Sequence, residues 1–82
     1  MHKNGVSALY DSASVAARIK DMAKTRGITV KQLLADAGLG YNMMTMMRTS
    51  MPKADNLAKL ADGLGCSVDY LLGRTDNPEI NR

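Results

Sequence analysis

Gly38-Leu39-Gly40 leaves only three residues between two stretches that both read as helix, and no other feature restricts the fold of this chain so tightly. Before it, Thr29-Val30-Lys31-Gln32 has the pattern of a capping box. The Thr29 hydroxyl can accept from the third helical amide while Gln32 reaches back to the cap. The helix so started turns Leu33, Leu34 and Ala37 inward and ends at Gly38. Beyond the turn a third helix is expected from Tyr41 to Thr49, entered through Gly40. Ser50-Met51-Pro52 breaks it, because proline disfavours helical geometry in the preceding residue. Two helices joined so briefly cannot run as a long antiparallel hairpin. They must cross at a steep angle.

The flanking segments also read as short helices. Residues 1–12 mix Gly, Ser, Asn and Lys without a sustained period and read as a flexible arm. Asp11, Ser12 or Ser14 can cap a first helix whose Val15, Ile19, Met22 and Ala23 follow 3.6-residue spacing. Arg18, Lys20, Lys24 and Arg26 fall on its other faces, and Gly27 stops it. A fourth helix, Ala54 to Leu64, carries Leu57, Leu60, Ala61 and Leu64 at core spacing. Ser67 caps a fifth over 68–72, closed by Gly73. Glycines 38, 40, 63, 65 and 73 all read as markers of helix ends. Residues 13–73 thus form the domain, and 74–82 a polar tail that reads as disordered or as a linker.

Composition agrees with an all-α chain of five helices. Among 82 residues there is no Trp or Phe and there are three Tyr, so Leu, Ile, Val, Met and Ala must supply the core. Sparse β-branched and aromatic residues suit helices better than a sheet. The net charge of +3 permits an anionic partner such as nucleic acid. Cys66 is alone and has apolar neighbours, so a buried thiol is expected. The single histidine, His2, sits in the arm, and with Cys66 it gives too few ligands for zinc. No nucleophile has a base at fixed spacing. The expectation is a protein that is not an enzyme, holds no metal or cofactor, and lies in the cytoplasm, since no signal peptide or membrane-length apolar run is present.

Three segments, in order, carry a resemblance. "RIKDMAKTRGIT" opens the domain, "LLADAGLG" leads into the turn and "PKADNLAKLADGLGCSVDYLLGRTD" closes it. Over about residues 15–74 the chain resembles the phage-repressor and Cro type (XRE family) of helix-turn-helix proteins. The resemblance implies a five-helix lambda-repressor-like fold with the third helix in the major groove of double-stranded DNA. It places Tyr41, Asn42, Thr45 and Met46 toward bases, and Met44 and Met47 in the core. Phosphate contacts are then expected from Thr29, Lys31, Arg48, Thr49 and Lys53, with amides at helix starts. Val68 and Leu71 fall near the two-fold contact of a homodimer on a palindromic operator, the alternative being that both are ordinary core residues. The implied function is transcriptional regulation, with a repressor of phage or mobile-element type as the expected form. A protein-interaction module on the same fold, an antitoxin or bridging factor, is the competing reading.

The third-helix region holds five of the seven methionines between residues 38 and 52. Met43 and Met46, three apart, are expected on more exposed faces, either at the core's edge or against thymine methyl groups. Asn42 can pair bidentately with adenine or merely cap the helix; Tyr41 can meet a phosphate, a base edge or the turn. Three departures from the family pattern stand out. Val30 replaces the usual phosphate-binding glutamine, which leaves Lys31 as a point charge. Leu34 and Ala37 exchange volume relative to the usual residues. Ala23 and Arg48 stand where a buried ion pair is common, so no charge is orphaned and Arg48 is free to face phosphate.

Overall fold

The computed structural model describes residues 10–80, and within them the chain is all-helical. The helices are α1 (Ser12–Arg26), α2 (Val30–Ala37), α3 (Met43–Met46), α4 (Ala54–Leu64) and α5 (Val68–Leu72). Asp11 caps α1, its carboxylate accepting from the Ser14 amide at 3.1 Å and the Ser14 hydroxyl at 3.0 Å. Asp11 and Ser12 therefore belong to the first helix, and Ser12 is buried in its stripe with Val15, Ala16, Ile19, Met22 and Ala23. Residues 1–9 of the expected arm, His2 included, lie outside the described residues.

The turn after α2 follows from backbone chemistry. Gly38 adopts φ 70°, a left-handed geometry that costs glycine little, and the Leu39 amide returns to the Leu34 carbonyl at 2.9 Å. The same closure ends α1, α4 and α5. Thr29 caps α2 as expected, accepting from the Gln32 amide at 3.0 Å. The other half of the capping box is absent. The Gln32 side chain instead donates forward to Asp36 at 2.8 Å, one helical turn on.

The third helix is much shorter than the expected Tyr41–Thr49. Only Met43–Met46 are α-helical, with no side-chain cap, and tighter bonds flank them. Met43 donates to Gly40 at 3.1 Å, Arg48 to Thr45 at 3.1 Å and Thr49 to Met46 at 3.2 Å. The nine residues from Tyr41 to Thr49 are below the length at which a helix sustains itself, so the ends tighten into turns.

The core lies between α1, α2, α4 and α5, with Val15, Ile19, Leu33, Leu60, Leu64, Cys66 and Leu71 fully enclosed. Cys66 is buried and free, as its neighbours imply. α3 contributes no buried residue; the residue after it, Met47, does, at 1% exposure. Ala37, expected inward, is only half-buried. Gly63 is no end marker either, since it lies inside α4. A Cβ there would stand 2.7 Å from Leu33 Cδ1, so its bareness lets α2 approach.

Two arginines expected on outer faces are structural. Arg26 donates from Nε to the Leu64 carbonyl at 2.9 Å and from Nη2 to Gly65 at 3.2 Å, satisfying the end of α4. The Arg18 guanidinium occupies the space beside Gly73 that a Cβ would need. The tail is also tied down in its described part: the Ser67 amide donates to the Pro78 carbonyl at 2.9 Å, and Arg74 to the Asp69 carbonyl at 2.8 Å. Residues 74–80 return to α5 rather than leaving it as a linker, because Asx- and Ser/Thr-type turns at Thr75 and Asn77 reverse the chain.

Gly63→Ala should destabilise the fold, although alanine normally favours a helix interior by about 1 kcal/mol over glycine. In a Leu33→Ala background, itself costly by about 2–5 kcal/mol, the same change should become favourable. Urea titrations of both single variants and the double measure the coupling; simple additivity would show that the contact is immaterial.

Candidate nucleic-acid interface

The turn at Gly38 sets α3 on the rim of the helical packing, so most of its side chains remain outside. Tyr41 is 76% exposed and Met46 53%, and Asn42 and Thr45 are also exposed. Tyr41 and Asn42 precede α3, and Thr45 and Met46 are its last two residues. Met47 anchors the segment from beneath. Met43 is partly buried at the core's edge, one of the two places expected for it, whereas Met44, expected in the core, is only partly buried. The reason is the brevity of the helix, which keeps Met44 at the edge of the core and lets Met43 lean on it.

Asn42 occupies the N-cap position with φ −83° and ψ 3°, yet its side chain makes no capping bond. Its Oδ1 lies 3.0 Å from where a Cβ of residue 40 would be, so the amide rests over the bare Gly40 backbone. Gly40 itself does not have a positive φ. The glycine that reads as a helix marker thus provides room for the amide.

The residues expected at phosphates, Thr29, Lys31, Arg48, Thr49 and Lys53, are all exposed. Lys31, exposed in the first turn of α2, places Nζ 6.0 Å from the Tyr41 ring centroid, the outer limit of a cation–π contact. Between them runs a shallow cleft of about 310 Å³ whose walls include Lys20, Met44 and Thr45. Thr29 uses its hydroxyl oxygen as the cap of α2, which leaves its hydrogen free to donate outward. Arg48 and Thr49 are exposed just after α3. Lys53 is the N-cap of α4 and makes no side-chain cap bond. Asp55, in the first turn of α4, offsets part of the positive potential there.

The expected two-fold contact residues divide. Leu71 has no exposed surface and is a core residue of the monomer, so it has nothing to offer a partner. The helical register turns it into the core and leaves Val68, one turn earlier, half-buried at the margin. No group of three or more His, Cys, Asp or Glu with metal-holding geometry occurs among the described residues. No helix among them is long and apolar enough to cross a membrane.

Two short helices joined by the five residues 38–42, with Asn42 and Thr45 exposed at the second, have the layout of a helix-turn-helix DNA-binding domain. The chain matches the model of the Cro/C1-type HTH DNA-binding domain over residues 18–77 and belongs to that family, the XRE family, whose fold is lambda-repressor-like. The function of the matched family is DNA binding, not catalysis. No curated protein and no solved structure matched the chain.

Because only Thr29 caps with its side chain, the two positions should respond differently to truncation. Thr29→Ala should cost about 1 kcal/mol of folding free energy, and Asn42→Ala less than about 0.5 kcal/mol. Thermal or urea unfolding of the two variants checks this, and an equal loss in both would make Asn42 a structural cap.

Proposed function

We propose that this chain is a sequence-specific regulator of transcription, a repressor of phage or mobile-element type, which binds a two-fold operator in double-stranded DNA as a homodimer. The observation that carries the reading is the exposed Asn42 amide at the start of α3, free of any capping duty. A side-chain amide so presented matches the acceptor and donor of adenine in the major groove. Tyr41, Thr45 and Met46 flank it as the other base-facing groups. Met46 meets thymine methyls, and Thr45 offers a hydroxyl to either partner.

Thr29, Lys31, Arg48, Thr49 and Lys53 surround that patch and hold the phosphates, with the free amides at the start of α2 beside them. The unusual Val30 at the start of α2 makes Lys31 the principal cation there, a point charge with little geometric selectivity. The partner contact rests on Val68. Together with the exposed Ile80 it edges a cleft of about 280 Å³ that also borders Ala58 and Ala61, with Asp62 and Asp69 beside them, a mixed margin that a second copy can cover.

Selection of bound duplexes from a random pool should return a palindromic consensus, saturated by two chains per site. One chain per palindrome would remove the dimer, and weak binding indifferent to sequence would favour an interaction module instead. On the selected site Asn42→Ala should cost about 1–3 kcal/mol and relax preference at one symmetric pair of positions. Lys31→Ala should weaken all duplexes by a similar factor. The wild-type log K should fall with log salt at a slope of about −5 or steeper if roughly six phosphates are neutralised, and Lys31→Ala should make that slope shallower.

A further inference from the structure

Met46 is the only exposed methionine among the described residues; Met22 and Met47 are buried, and Met43, Met44 and Met51 are partly so. Its backbone is held on both sides. The amide donates to Asn42 at 3.0 Å, and the carbonyl accepts from Thr49 at 3.2 Å and Ser50 at 3.0 Å. A reactive thioether therefore projects from a fixed point, one helical turn from the Asn42 amide, on the face assigned above to bases. Its neighbour Met47, identical in chemistry, is 1% exposed. Access alone separates the two sulfurs.

We propose that Met46 is an oxidation site through which hydrogen peroxide weakens DNA binding, an inference that rests on the DNA-binding reading above. The sulfur lone pair attacks one peroxide oxygen. An S–O bond forms as the O–O bond breaks, the sulfur loses two electrons, and the peroxide leaves as water after proton transfer. The product is a sulfoxide, polar and able only to accept hydrogen bonds. Groove edges carry many acceptors, the N7, O6 and O4 atoms of purines and thymine, and the thymine methyl that suits a thioether does not suit an S=O dipole. The modification thus removes an apolar contact and adds an unpartnered acceptor in each half-site. It is reversible, since methionine sulfoxide reductases regenerate the thioether. The other soft nucleophile, Cys66, is enclosed in the core, and burial pushes its thiol up while Arg26 pulls it part of the way back, which keeps it out of the reactive thiolate form.

The test treats the full chain with hydrogen peroxide, maps oxygen gain by peptide mass spectrometry, and measures affinity for the selected palindrome before and after. Met46 should gain oxygen ahead of Met22 and Met47, and affinity should fall at least about tenfold with the fold intact by circular dichroism. Sulfoxide reductase should restore it. Met46→Leu, compared only with its own untreated affinity, should show no further loss after the same treatment. Unchanged affinity of the Met46-oxidised protein, or an equal loss in Met46→Leu, overturns the oxidation site and leaves the DNA-binding reading standing. Failure of the untreated protein to bind any duplex removes both.

Discussion

Leu33 sits in the seam between α2 and α4 where Gly63 has no side chain, and this close approach holds the rest of the molecule in place. Burying a leucine completely is worth about 1.5–3 kcal/mol, but its larger consequence here is geometric. With α2 fixed on α4, the left-handed residue Gly38 and the returning Leu39 amide fix the direction in which the chain leaves. That direction decides where α3 can lie. A glycine inside α4 weakens that helix locally, and the tighter contact offsets the weakness.

The cations are divided between two duties. Arg18 and Arg26 work inside the fold, one against Gly73 at the end of α5, the other on the carbonyls that end α4. Unsatisfied helix-end carbonyls carry partial negative charge, so the Arg26 guanidinium serves as both hydrogen-bond donor and counter-charge at the end of α4. Lys31, Arg48 and Lys53 are exposed, and Lys31 lies beside Tyr41.

α3 is a single turn anchored by Met47, and methionine is an apt residue for such an anchor. Its unbranched chain fills an irregular gap without demanding one rotamer, and a partly buried Met43 and Met44 can settle against the same core. The cost of building the surface this way is chemical. A thioether left exposed at Met46 is soft enough to adapt to methyl groups and soft enough to be oxidised.

Much of this was legible from sequence because it depends on local chemistry. Helix starts at Thr29 and Ser67, stops at Gly27, Gly38, Gly65 and Gly73, and the apolar spacing of α1 and α4 are all set within a few residues of the chain. The ordered segments from "RIKDMAKTRGIT" to "VDYLLGRTD" identified the family for the same reason. Only tertiary contacts decided the remainder. Gly63 resembles a helix stop until Leu33 is seen against it, and Arg18 and Arg26 resemble solvated residues until the ends of α5 and α4 arrive beside them. Leu71 and Val68 occupy one short helix, and which of them keeps any surface depends on where α1 lies. The length of α3 and the freedom of the Asn42 amide were likewise beyond local rules, because a helix of one turn is held by its surroundings rather than by its own hydrogen bonds. The sequence by itself determined where the chain turns; packing determined which side chains remain outside.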